Sequence, residues 1–446
     1  MTKSYSEFLS KRHIYFVNLS QKAQIEFNNS KKMHYYDIQG IQLTELADKF
    51  GTPLYVYDAN KIIEKIGILR DSFKDVNIKI KYACKANTNL SILKLMRKHG
   101  VEIDVVSPEE LRLALMAGYE GSQITFTPSG VSFDEIELAA EIGARINLDN
   151  LDVLEAFGQL YGNKKGALIR IKPHVFGGGN EKIMTAHPES KFGISIHQKE
   201  QILEIVKKYD MKIIGLHQHT GSDVKNADAF TQAASAILEM AKDFKDLEII
   251  DLGGGFKVAY KDGDITTNMA ELGAVLSSSF LNFCQEYGRP LQLWFEPGKF
   301  LVSEAGTFLT TANTIKKDPI KTFVCVNSGL NHLGRPMMYG AYHDIFNASN
   351  QDASQQDDYR VVGYICETDT FSWSAEGQQS ERRMNTVNKG DIIAMKNAGA
   401  YCFSMSSQYN SRIRPAEVLV INGEAKLIRV RESFEDILRN TVEVDV

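Results

Sequence analysis

Apolar and polar positions along the chain switch between two periods. From Ile78 onward, short runs rich in β-branched and aromatic residues alternate with longer stretches whose apolar residues recur every three to four positions. The runs are IKIKYAC (78–84), VEIDVVS (101–107), QITFT (123–127), ARINLD (144–149), ALIRIKP (167–173), KIIGLHQH (212–219), LEIIDLG (247–253) and QLWFEPG (292–298). Between them lie segments such as SILKLMRKHG, SPEELRLALMAG, DEIELAAEIG and DAFTQAASAILEMAKDF, which combine helical spacing with good helix formers. Several open on a Ser, Asp or Asn able to cap, and Gly100, Gly118 and Gly143 stand where helices would close. Eight strand–helix units in about 230 residues have the count and size of an α/β fold of the (β/α)8, TIM-like barrel type.

After about Ala305 the rhythm changes. KTFVCVN, YRVVGYIC, DIIAMK, AEVLVIN and AKLIRVR read as strands separated by turns, with helical spacing returning only in ESFEDIL. A polar stretch, NASNQDASQQDD (347–358), reads as a solvated loop. The expected organisation is therefore a lead-in over residues 1–50 partly packed on the β domain, a barrel over 51–305, and a mostly β C-terminal domain over 306–446. TPLYVYD (52–58) precedes the barrel rhythm and is a candidate to pair with the C-terminal strands.

Charge narrows the partners. With 51 basic against 56 acidic residues and no long basic block, neither nucleic acid nor an anionic membrane is an expected partner, and a small molecule is. The five cysteines are odd in number and lack C-x-x-C spacing, which fits a reducing cytosol. The opening MTKSYSEFLSKRHIYF lacks the apolar core of a signal peptide, and a cytoplasmic chain with no membrane partner is expected.

In a barrel the chemistry gathers at the C-terminal ends of the strands. The first strand ends in Lys85, flanked by Cys84 and Ala86; it reads either as a rim lysine or as an amine whose pKa burial lowers, suited to Schiff-base formation. The seventh runs into Gly253, Gly254 and Gly255, whose N–H groups could approach a phosphate without side chains in the way. Ser222 could donate to the same phosphate, and Glu296 and Lys299 place a carboxylate and a cation at the eighth strand end. His217 and His219, on one face of the sixth strand, have the spacing of metal ligands. Zinc requires three or more ligands, no compelling third stands at the strand ends, and no metal is expected. A Schiff-base lysine, a phosphate cradle, a stacking histidine and a carboxylate for a ring nitrogen are together the needs of pyridoxal 5′-phosphate.

The ordered motifs YACKAN, KFGI, GLHQHTGSD, DLGGGF, EPGKFLVSEAG, RPMMYGAYH, GYICETDTF and KNAGAYCFSMSSQYNSRIRPAEV resemble the alanine-racemase-fold decarboxylases that use pyridoxal 5′-phosphate, in particular the diaminopimelate decarboxylase family. The resemblance runs from about Thr52 to the C-terminus. It implies decarboxylation of meso-2,6-diaminopimelate to L-lysine and CO2, the last step of lysine biosynthesis. Lys85 would bind the cofactor covalently, His219 stack on its ring and Glu296 bond its nitrogen; Ser222, Gly253–Gly255 and Tyr401 would bind its phosphate. Cys366 would reprotonate the product from the partner subunit of a homodimer with shared sites. Glu367, Arg335 and Tyr339, with Lys299 and Tyr401, would hold the substrate.

Arg335 supports a carboxylate at the substrate's distal end, since a guanidinium would repel an ammonium there. A thiol with an ordinary pKa near 8.5 is protonated at neutral pH, as a donor should be. His217, deeper in its strand, is expected to pack or support. Two departures from the family pattern bear on the substrate: EPGK where the family has EPGR, and C-E-T-D one residue shorter than CESGD, which alters how Asp369 is presented. Alternatives are a same-fold decarboxylase of another carboxylate-bearing amino acid, such as carboxynorspermidine or a siderophore or antibiotic intermediate, and a non-catalytic regulator.

Overall fold

The computed structural model describes residues 36–175, 189–224, 227–261 and 263–446. All eight barrel strands form where the period predicts them: Ile78–Ala83, Glu102–Val105, Ile124–Phe126, Arg145–Leu148, Ala167–Lys172, Ile213–His217, Ile249–Asp251 and Gln292–Phe295. They pair in parallel, and the circle closes where Gln292–Phe295 meets Ile78–Ala83 and Ile213–His217 meets Ala167–Lys172. A two-residue strand, Ile194–Ser195, pairs beside the fifth.

The helices between them end as their sequences dictate. Ser107 accepts the Glu110 N–H at 3.1 Å and Asn150 that of Val153 at 2.9 Å, which satisfies N–H groups the helix leaves unpaired. Gly100, Gly118 and Gly143 take φ of 66°, 91° and 86°, the left-handed region in which a side chain is strained.

The second domain is a mostly antiparallel sheet in which Gly306–Lys317 is central. Its neighbours include Thr322–Val326, Ile392–Lys396 and Leu54–Asp58, and the last of these also pairs in parallel with Ala416–Ile421. The β domain is thus assembled from both sides of the barrel, and the strand numbered within 51–305 belongs to its sheet. Residues 36–50 pack there too, with Ile38, Leu43 and Leu46 joining Leu309, Ala394 and Val418 in one apolar cluster. The earlier part of the lead-in, 1–35, lies outside the described residues. Within the expected loop 347–358, Gln356–Asp358 instead begin a strand that pairs with Arg383–Asn385.

Candidate active site

Side chains two apart on a strand share a face, so the barrel interior is built in layers. One layer holds Lys81, Glu102, Leu168, Ile249 and Trp294; two residues further along the same strands come Asp104, Arg170, Asp251 and Glu296. The lower layer is closed by apolar contact and by ion pairs of Glu102 with Lys79 at 2.8 Å and Lys81 at 2.5 Å, with Lys81 4.0 Å from the Trp294 ring centre. The upper layer opens into a cavity of about 990 Å³ bordered by Lys85, Arg170, His219, Ser222, Lys299, Arg335, Tyr339 and Tyr401. Asp104, Gly255 and Glu296 line its narrow inner end together with Lys85.

Three carboxyls in one buried layer cannot all ionise. Burial, then the charge of Glu296, raises the pKa of Asp104 and of Asp251 well above the usual range. Burial acts on Glu296 in the same direction, but His217, His219 and Lys85 together outweigh it, and the net shift is downward. His217 Nε2 lies 3.0 Å from Glu296 Oε2. The layer therefore carries its negative charge on Glu296, whose other oxygen, Oε1, is buried with no protein hydrogen-bond partner among the described residues.

Lys85 follows the first strand in a short 3-10 turn over Cys84–Ala86. Burial pulls its pKa down, yet Tyr401, Asp104 and Glu296 together outweigh that pull and the net shift is upward. The lowering that burial alone would give is therefore not the net effect. The neighbours in sequence are apolar, but the groups that decide the charge arrive from other strands.

His219 accepts the Gly254 N–H on Nδ1 at 3.0 Å, which fixes the ring against the glycine turn. Burial, then Lys85 and Arg170, lowers its pKa to about 3, so the ring is neutral. The three glycines do not act alike. Gly253 donates to Asp251 Oδ1 at 2.8 Å and Gly254 to His219, leaving Gly255 as the one that borders the cavity. A Cβ on Gly254 would overlap the Glu296 carbonyl, so this glycine is required by strand-end packing. Two of the three N–H groups expected to form a cradle thus have side-chain acceptors in this structure.

Tyr401 reaches the cavity from the β domain with φ of 56°, a left-handed conformation costly for an aromatic residue, held by its N–H to Ala86 O at 2.8 Å. Gly298 leaves room for its hydroxyl: a Cβ there would lie 3.2 Å from Tyr401 Oη.

At the outer end, three cations surround Tyr260. Lys257 Nζ lies 2.5 Å from Asp264 and Lys299 Nζ 2.8 Å from Asp223, so both have anionic partners. Arg335 does not. Only 6% exposed, it reaches Tyr260 Oη at 3.3 Å and His343 Nε2 at 3.5 Å and makes no ion pair among the described residues; burial pulls its pKa down, but Tyr260, Cys402 and the more distant Asp223 outweigh that pull. The His343 Nδ1–H donates to Lys396 O at 2.8 Å, leaving Nε2 as the acceptor that faces the guanidinium.

Cys366 and Glu367 do not meet the cavity of their own chain. Both are exposed; the Cys366 N–H donates to Asn410 Oδ1 at 2.9 Å and Glu367 accepts from Tyr409 Oη at 2.8 Å. Asp369 turns inward and fastens this segment, accepting from Leu330 N at 2.8 Å and Ile365 N at 3.2 Å.

Sequence reasoning missed Asp104, Arg170, Lys257 and Tyr260. A charged residue at an alternate position of an apolar run, as in EIDV and ALIRIK, was the available signal for the first two. It also set aside a third ligand for His217, whereas Asp251 and Glu296 present atoms within 4.8 Å of it and of each other. His219 is not part of that trio, and His217 Nε2 is already engaged by Glu296.

The barrel and its strand-end groups define a class. Residues 59–303 match the family model of the pyridoxal-dependent decarboxylases, pyridoxal binding domain. The diaminopimelate decarboxylase of Methanothermobacter thermautotrophicus is 36% identical over 412 residues, 90% of this chain and 94% of that protein. That of Escherichia coli K12 is 33% identical over 412 residues, 90% and 96% of the two chains. The crystal structure of the Helicobacter pylori diaminopimelate decarboxylase complexed with L-lysine superposes with a TM-score of 0.80 at 32% identity, covering 89% of this chain and 98% of that one. The chain belongs to the pyridoxal-dependent decarboxylases and, within them, to the diaminopimelate decarboxylase family.

Proposed function

We propose that the chain decarboxylates meso-2,6-diaminopimelate to L-lysine and CO2 with pyridoxal 5′-phosphate as cofactor. The observation that carries the substrate reading is Arg335: a buried guanidinium with no ion-pair partner among the described residues, in the cavity that also holds Lys85, is suited to a carboxylate and repels an ammonium. The unpartnered Oε1 of Glu296 fits a protonated ring nitrogen, and Lys85 beside it fits covalent attachment.

Lys85 would hold the cofactor through Nζ until the substrate amine displaces it, with neutral His219 against the ring and Ser222, the Gly255 N–H and Tyr401 toward the phosphate. When bound, the cofactor supplies an electron-accepting π system that takes up the pair left as the carboxylate on the D-configured carbon departs as CO2. Arg335 and Tyr339 orient the substrate by its distal end, and Lys299, compensated by Asp223, adds a second donor. A proton must then reach the same carbon. The chain's own Cys366 is exposed and does not line its cavity, so a second copy would deliver its Cys366 thiol and Glu367, making the enzyme a dimer with shared sites.

The test is CO2 release from a panel containing meso-2,6-diaminopimelate, L-lysine, L-ornithine and carboxynorspermidine, with the cofactor present. Turnover of the first with L-lysine as product is expected. Release from another member and none from diaminopimelate would overturn the substrate; release from none would overturn the reaction.

A further inference from the structure

His217 is wholly buried beneath the cavity and contacts no site where substrate could sit, yet it is the side-chain donor to Glu296. We propose that His217 is a positioning residue for the cofactor's ring nitrogen: its Nε2–H engages Oε2 of Glu296, keeps that carboxylate ionised, and leaves Oε1 open to receive a ring N–H. The inference rests on the cofactor assignment above.

A nitrogen 3.0 Å from a carboxylate oxygen carries the hydrogen, so the bond fixes the His217 tautomer. Nδ1 is then an acceptor, and it has no partner among the described residues. A charged imidazole would leave a buried N–H unpaired there, so the neutral ring is the form that fits. Its role is to choose among acids. Asp104, Asp251 and Glu296 share the layer, and Lys85, Arg170, His219, Glu110 and, from the layer below, Lys81 also face them. Asp251 has a backbone donor of its own, Gly253 N–H at 2.8 Å, and lies within reach of the same two residues. Without the His217 donor, Glu296 loses the side-chain N–H that donates to its Oε2 and keeps only the pull of His219 and Lys85 and its contact with Asp251. That weakens its hold on the charge relative to Asp251, whose free oxygen is buried away from the cavity lining.

The test reads the ring nitrogen itself. Holoenzyme is reconstituted with cofactor labelled with 15N in the ring, and the nitrogen resonance is compared between wild type, His217→Leu, His217→Gln, whose amide N–H reaches the Nε2 position, and Glu296→Gln as the reference for a ring without its proton. In His217→Leu the resonance is expected to move to that of Glu296→Gln, with kcat down roughly ten- to a hundredfold, the range for a lost hydrogen bond to a charged group, and KM little changed. His217→Gln should keep the wild-type resonance. A wild-type resonance in the leucine variant, or a glutamine variant that shifts with it, overturns the proposal. If the leucine variant does not fold, His217→Asn, whose amide falls short of Oε2, takes its place with the same expected shift. A Glu296→Gln resonance identical to wild type would instead overturn the cofactor-binding role of Glu296, a separate failure.

Discussion

Lys81 and Lys85 lie four residues apart on one barrel segment and mark two kinds of interior. Lys81, in the lower layer, is fully buried, paired with Glu102 and set against Trp294. Lys85, at the mouth, points into open cavity; carboxylates lie near enough to raise its pKa, but none forms an ion pair with it among the described residues. The same contrast recurs among the cations of the outer cavity. Lys257 and Lys299 form ion pairs with aspartates, and Arg335 forms none among the described residues. A structural cation is one whose charge the fold satisfies; a cation held in place with its charge unsatisfied is one the fold has reserved for a ligand.

The sharpest way to break this distinction is at Lys85. Lys85→Ala should abolish turnover and the absorbance of covalently held cofactor, while the cofactor is still retained by the groups on its ring and phosphate; substantial activity would place Lys85 with Lys81. Next in size is Cys366→Ala. Loss of a general acid commonly costs 10²–10⁴-fold, and a drop of about 10² in L-lysine formation is expected. Mixing this variant with Lys85→Ala should restore activity, since one of the two sites in a mixed dimer would be intact. Failure of complementation under conditions that exchange subunits would show that the mouth is completed within a single chain.

These predictions concern residues that the sequence exposes unequally. Lys85, His219 and Glu296 stand at strand ends, where a change from apolar run to polar residue locates the mouth directly. Asp104, Arg170 and Asp251 sit inside runs of the same period, and alternation alone does not say whether a charged residue there meets a partner or a cavity. The fold was legible because one signal, the alternation of strand and helix periods, repeats eight times. The electrostatics were not, because they depend on groups brought together from different strands: Lys85 has apolar neighbours in sequence and carboxyls in space. The glycines after Asp251 illustrate the same gap. Three consecutive N–H groups read as one cradle until Asp251 and His219 are seen to take two of them.

Arg335→Met sharpens the comparison by separating binding from folding. The variant should raise KM for a substrate with a distal carboxylate roughly ten- to a hundredfold, the worth of a charge-assisted pair, with a smaller change in kcat. Thermal stability should not fall. Deleting the guanidinium removes its desolvation cost together with the compensation it draws from Tyr260, Cys402 and Asp223, and methionine fills much of the volume. A variant with unchanged KM, or one markedly less stable, would mean that the charge is satisfied by the protein after all.

The smallest kinetic effect is expected at the other pole. Lys81→Met keeps the unbranched stem against Trp294 but removes the ammonium, so Glu102 retains only Lys79, whose side chain is 41% exposed. Breaking a buried pair by deleting one partner leaves the other partly uncompensated, and with Lys79 still in place a loss of about 1–3 kcal/mol in chemical denaturation is the expected scale. Holoenzyme kcat, KM and cofactor affinity should stay close to wild type, because the upper layer takes its charge balance chiefly from its own groups, His217, His219, Lys85, Arg170 and the three carboxyls. A fall in kcat without a fall in stability would mean that the floor acts on the mouth through the strand they share.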